Sequence, residues 1–85
     1  MGMLRVEVAE LRVIIRQKVS TGLLPKDAPA KMRAGYGTGK ICAACDLSTT
    51  KKDVEYEVDM VDRRTFLFHQ ACLTLWHQER AGGSR

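Results

Sequence analysis

An α+β fold is what this 85-residue chain predicts, and three patterns predict it. Apolar residues near the start recur at helical spacing. Two short segments after residue 53 read as the strands of a half-buried hairpin. Two pairs of metal-binding side chains, Cys42-Ala-Ala-Cys45 and His69-Gln-Ala-Cys72, bracket those segments and would fasten the hairpin to a following helix. The length supports one small domain. Such a chain buries only roughly 60 to 65 % of its unfolded surface, so metals, disulfides or partners often supplement the core.

The first element is expected over residues 4 to 20. Leu4, Val8, Leu11 and Ile15 follow helical spacing, and Val19 extends the stripe. Gly22 suits a C-terminal cap and Pro25 blocks continuation. Six β-branched residues in this stretch lower its helix propensity, and Leu4, Val6 and Val8 also alternate. Residues 23 to 41 read as a connector, because Pro25, Pro29, Gly35, Gly37 and Gly39 prevent a long regular element.

After a polar turn over residues 48 to 52, Val54, Tyr56, Val58 and Met60 alternate with Glu55, Glu57 and Asp59. That pattern predicts a half-buried strand with one wet, acidic face. Asp62 and Arg63 form the turn, and Thr65 to Phe68 returns as the second strand. A helix follows over about 69 to 80, with Cys72, Leu75, Trp76 and Glu79 as its stripe and Gly82 and Gly83 after it. Phe66, Phe68 and Trp76 are expected in the core rather than on a base-stacking platform. The chain thus divides into an amphipathic helix over 1–22, a connector over 23–41, a metal-binding hairpin and helix over 42–81, and a flexible tail over 82–85.

The chemistry lies in Cys42, Cys45, His69 and Cys72. Each pair has two residues between its members, and 23 residues separate the pairs. Structural zinc wants four Cys or His ligands in a closed tetrahedron, and three Cys with one His is a common set. A Cys-x-x-Cys on a tight turn points both sulfurs at one ion. A His-x-x-Cys opening a helix places its ligands at i and i+3, on one face, where the helix N-terminus favours a thiolate. Knuckle, hairpin and helix in that order are the treble-clef type of zinc finger, holding one Zn2+ per chain. The same ligands also suit iron or another thiophilic metal.

Other readings of these residues remain. The cysteines can be free and partly buried. Cys42 and Cys45 can be a redox pair, although that motif needs a βαβ setting with the first Cys opening a helix. His77 can replace His69, but it sits five residues past Cys72 and reads as an exposed helix residue. Catalytic zinc keeps an open position for water, and four good ligands would fill the shell. Asp46 and Glu79 belong to no acid–base motif. A turn hydrogen bond is expected of Asp46 and a solvated helix charge of Glu79. The segment Gly35-Tyr-Gly-Thr-Gly-Lys40 fails as a phosphate loop, with Ala34 where the first glycine belongs and Ile41 where Ser or Thr is required. No catalytic residue is assigned, and the protein is expected not to be an enzyme.

Charge bears on the partner. The net charge is +4, with eight basic residues against three acidic over 1–40, and six against seven over 41–85. The basic character therefore belongs to the N-terminal arm. Arg12, Arg16, Lys18, Lys26, Lys31 and Arg33 are the candidate contacts to nucleic acid or another acidic partner. The competing expectation is a protein-interaction adaptor or homodimer that uses the apolar stripe of the N-terminal helix. Charges at Arg5, Glu7, Glu10, Arg12 and Arg16 interrupt the first apolar stretch, which reads against a secretory leader. No run reaches the ~18 apolar residues of a membrane span. A cytoplasmic protein with no membrane partner is expected.

Residues 42 to 76 resemble the first zinc module of LIM domains, in ligand order, similar spacing and an aromatic before the histidine. No cysteine remains after Cys72 for a second module. The order is also similar to the zinc finger of DNA-nick-sensing poly(ADP-ribose) polymerases, whose spacing is somewhat longer. Over nearly its whole length the chain resembles a group of small bacterial proteins of unknown function. These join a basic N-terminal helix ending in a Leu-Pro signal, here Leu24-Pro25, to this Cys-Cys-His-Cys module. The Glu55-Tyr56-Glu57 strand and the Phe68-His69-x-x-Cys72 junction fit them too. The resemblance implies a zinc site in a stand-alone domain and no particular activity.

Overall fold

The computed structural model describes residues 8–82, with side chains as far as Arg80. The expected helical start at Leu4 and the tail residues 83–85 lie outside that range. The order of elements is α1 (Val8–Ser20), β1 (Lys31–Tyr36), β2 (Val54–Asp59), β3 (Thr65–His69) and α2 (Gln70–Gly82). Two helices and a three-stranded antiparallel sheet give the expected α+β class.

The helix ends where its residues require. Gly22 takes a left-handed φ of 87°, and the amides of Thr21, Gly22 and Leu24 donate back to carbonyls of the last turn. Those bonds satisfy carbonyls that the helix leaves without partners. The hairpin turn has a related device. Met60 N–H donates to the Arg64 carbonyl, leaving a three-residue loop in which Arg63 has a φ of 76°. A loop of that length closes with one residue in the left-handed region.

One strand lies in the expected connector. The two prolines end before Lys31, and from there to Tyr36 the chain pairs with β2 in the register Lys31↔Asp59 to Tyr36↔Val54. Gly35 is tolerated in this strand, and Gly37 is required just beyond it. A Cβ at Gly37 would lie within 1.9 Å of the Thr50 carbonyl oxygen. The sheet order is β1-β2-β3.

Side chains alternate across this sheet. One face carries Met32, Ala34 and Tyr36 on β1, Val54, Tyr56 and Val58 on β2, and Phe66 and Phe68 on β3. α2 covers its β2–β3 part, where Val58 and Phe68 are fully buried, and α1 packs against α2. Phe68 stacks on Trp76 of α2 with ring centroids 5.1 Å apart, and the indole N–H donates to the Pro25 carbonyl at 2.9 Å. That bond pins the connector to the second helix. Leu11, Ile15 and Val19 of α1 are buried in the same core. Three residues of the stripe expected to serve a partner are therefore buried within the chain, whereas Val8 is exposed and Leu4 lies outside the described residues.

The other face is not uniformly wet. Arg33 forks onto Glu57 at 2.7 Å and Asp59 at 2.9 Å, as an exposed ladder should. Glu55, however, is buried. It accepts from the Thr49 hydroxyl at 2.9 Å and from the amide and hydroxyl of Thr38. Burial pushes its carboxyl up, but these donors more than offset it and hold it below the usual range. Glu55 thereby ties the Gly-containing loop to the sheet. Among the described residues no helix is long and apolar enough to cross a membrane.

Candidate metal centre

Three segments converge on one point. Residues 42–46 make a tight turn: Asp46 N–H donates to the Cys42 carbonyl at 3.0 Å, and Cys42 N–H donates to the Leu47 carbonyl at 2.9 Å. Asp46 sits at a φ of 65°, a left-handed position that Asp accepts more readily than most residues. Ala43 N–H donates to the Leu67 carbonyl at 2.7 Å, which lays the turn along the edge of β3. β3 ends at His69, and α2 begins one residue later, with Cys72 in its first turn.

Cys42, Cys45, His69 and Cys72 consequently present four ligand atoms that all lie within 4.8 Å of one another. Cys42 and Cys72 are buried, and Cys45 and His69 are half-buried. His69 places Nδ1 3.4 Å from the Cys45 sulfur, and its backbone N–H points at the Cys42 sulfur at 3.5 Å. The Cys72 thiol donates to Cys42, and the Cys45, His69 and Ala44 amides add to that donation. Together they hold Cys42 down at about 4 despite its burial. Cys72 is pushed up by its bond to the Cys42 thiolate and by burial, and Cys45 is pushed up chiefly by burial.

Without a cation, the Cys42 thiolate is favoured and the Cys72 and Cys45 thiols are not, Cys72 chiefly through its bond to Cys42 and Cys45 chiefly through burial. A cation among the sulfurs would neutralise their charge and remove that imbalance. Three sulfurs, one imidazole nitrogen and backbone amides aimed at a sulfur form a set that could hold a metal ion. Among the described residues no other group of His, Cys, Asp or Glu side chains meets as a candidate metal site. His77 lies elsewhere, half-buried and packed on Trp76 with centroids 5.0 Å apart. The expectation of an exposed histidine there is corrected, because the bulk of the indole covers it.

Charged groups flank the candidate ligands. Asp53 Oδ2 is 3.7 Å from His69 Nε2, on the opposite side of the ring from Cys45. Lys18 of α1 donates to the Ala43 carbonyl at 3.0 Å and to the Asp46 carboxylate at 3.1 Å. Asp46 thus serves an ion pair with the first helix as well as its turn. Neither contact is visible in spacing, because the partners are far apart in sequence. A cleft of about 520 Å³ opens beside the centre, lined by Leu47, Lys52, Asp53, Val54, Gln70 and three of the ligands.

Four of the six expected nucleic-acid contacts are engaged by acceptors of the chain itself. Arg12 and Arg16 turn onto Glu79 of α2 at 3.3 and 3.0 Å, and Arg12 also donates to Gln78. Glu79 is only 8 % exposed, so it is a buried ion-pair partner rather than a solvated charge. Lys18 holds the turn, and Arg33 holds the acidic face of β2. Lys26 and Lys31 are exposed, with no ion-pair partner among the described residues. No family model, curated protein or solved structure matches the chain.

Proposed function

We propose that this chain is a non-catalytic zinc-binding module of treble-clef type, in which Cys42, Cys45, His69 and Cys72 hold one Zn2+ that organises the fold. The convergence of four ligand atoms within 4.8 Å carries this reading. Zinc is the usual occupant of a closed site with three sulfurs and one imidazole, and a filled shell leaves no position for water or substrate. The bound ion supplies neutralisation of the thiolates and a cross-link between the turn and α2. Elemental analysis with circular dichroism before and after chelation tests the reading. One zinc per chain and loss of structure on chelation are expected. A metal-free protein with the same spectrum would remove the proposal.

The partner we propose is nucleic acid, held without sequence preference. Lys26 and Lys31 support this reading from the expected set. They are joined by Lys40, Lys51 and Lys52, which are exposed around the loop that leads into the centre. Thr49 N–H donates to the Lys40 carbonyl at 2.9 Å, which brings these three lysines to one end of the molecule. Neutralising about three phosphates would give a slope of log K against log salt of about −3 on duplex DNA. Replacing Lys51 and Lys52 by Gln should make that slope shallower by about 2. Binding to DNA and RNA that is absent, or indifferent to salt, would overturn the reading.

A further inference from the structure

The sheet has two edges, and the described residues protect only one. Met60 N–H donates to the Arg64 carbonyl, which fixes the alternation of β2 and β3. It sends the backbone groups of Leu67 and His69 away from the sheet. Both meet the cysteine turn: the Leu67 carbonyl accepts from Ala43 N–H, and His69 N–H points at the Cys42 sulfur. The opposite edge has no such cover. Gly37 N–H donates to the Asp53 carbonyl, so the odd-numbered residues of β1 bond inward to β2. The N–H and C=O groups of Met32, Ala34 and Tyr36 then face outward, with no partner among the described residues.

Of the devices that normally blunt such an edge, β1 has two charged side chains and no proline. All six of its residues are exposed. The Lys31 and Arg33 side chains lie on the polar face, where Arg33 is drawn inward onto Glu57 and Asp59. On the other face Met32 is 45 % exposed and Tyr36 80 %, beside Val54.

We propose that β1 pairs antiparallel with β1 of a second copy of this chain, about a two-fold axis at Ala34, to make a continuous six-stranded sheet. The register identifies the occupant. Centred on Ala34, it sets Met32 opposite Tyr36 of the second copy, twice, and joins the outward backbone groups of residues 32, 34 and 36. On the polar face it sets Arg33 opposite Gly35 and Lys31 opposite Gly37, so no like charges meet directly. Apolar pairs opposite one another stabilise a strand pair, and like charges opposite one another destabilise it. One strand pair makes a small interface, in the class of weak and transient associations. Each copy carries a net positive charge, so added salt strengthens this association, whereas it weakens binding to nucleic acid.

Sedimentation of the metal-loaded full chain, from ~10 µM to ~1 mM, tests the proposal. The average mass should climb from 9.5 kDa toward twice that value, and climb further at higher salt. Ala34→Pro removes an outward N–H while leaving the bonds to β2, a position that edge strands tolerate. It should stay at the monomer mass with unchanged circular dichroism and metal content. Should the proline disturb the fold, Met32→Lys with Tyr36→Lys replaces it, since the pair sets lysine against lysine. A wild-type chain that remains at 9.5 kDa throughout, or a folded variant that associates as wild type does, overturns the proposal.

Discussion

The metal centre and the seam between α1 and α2 both join distant parts of the chain, by opposite means. At the centre, side chains from residues 42 to 72 meet through polar and charged atoms, and their thiols oppose one another's ionisation. At the seam, Leu11, Ile15 and Val19 are buried among apolar neighbours, and the Arg12–Arg16–Glu79 cluster closes the rim. Burying three such side chains contributes on the order of 1.5–3 kcal/mol each, as an upper estimate. A structural zinc in finger peptides contributes about 10–16 kcal/mol of apparent binding free energy. The whole stability of a small domain is about 5–15 kcal/mol. The centre should therefore decide whether this chain folds, and the seam how firmly α1 is held.

Cys72→Ser should separate the two regions most sharply. A hydroxyl is a poor ligand for a thiophilic ion and leaves a polar group in a buried position. Loss of the metal and of cooperative unfolding is expected, read by elemental analysis and thermal melting. A Cys72→Ser chain that loses its metal yet keeps its melting transition would show that the seam alone suffices.

Glu79→Gln should loosen the seam by about 1–2 kcal/mol and leave the metal content at one per chain. The carboxylate is buried, but Arg12 and Arg16 are 36 % and 60 % exposed and regain water when freed, so the loss stays modest. Arg16, through its hydrogen bond, and then Arg12 hold the Glu79 carboxyl below its usual range. A depressed carboxyl stabilises the fold fully above its unfolded value, near 4.3, and loses that contribution as pH falls through the folded value. The advantage of wild type over Glu79→Gln, from denaturant titrations, should be constant above about pH 5 and shrink in acid. Acid release of the metal is common to both chains, and the difference between them isolates the carboxylate. An advantage that grows as pH falls would mean that Glu79 does not carry the seam.

The same contrast explains what the sequence made legible. The four candidate ligands were visible because metal chemistry restricts residue type and spacing so tightly. The hairpin, α2 and most of α1 were visible through periodicity. β1 was not, because Lys31-Met-Arg-Ala-Gly-Tyr36 lacks β-branched residues and is exposed throughout, so pairing with β2 alone makes it a strand. Glu55 and Glu79 read as wet because carboxylates usually are. Their donors, Thr38, Thr49, Arg12 and Arg16, lie between 6 and 67 residues away, and only the fold brings them near. The pairing of Arg12, Arg16, Lys18 and Arg33 was hidden for the same reason. Charge counted along a chain does not reveal which cations the chain's own acids have engaged.

Asp53→Asn offers the smallest and most selective test, because it acts on the centre without touching a ligand. Asp53 Oδ2 stands 3.7 Å from His69 Nε2 and also accepts from the Thr50 amide at 2.7 Å. Asparagine retains an acceptor for the turn and removes the negative charge beside the ring. A carboxylate behind a histidine orients it and raises its basicity as a ligand, and losing such a partner costs about 10–100-fold in metal affinity. At this distance, longer than a hydrogen bond, the low end is expected: a roughly tenfold weaker affinity by chelator competition. At a fixed excess of free metal, tenfold corresponds to about 1.4 kcal/mol of stability, which should vanish as free metal falls below the dissociation constant. The Glu79→Gln deficit should not follow free metal in that way, because both of its partners lie outside the centre. If both variants lost stability in step with metal concentration, the seam and the centre would be one cooperative unit. If Asp53→Asn bound metal as wild type does, the carboxylate would be serving the Thr50 turn alone.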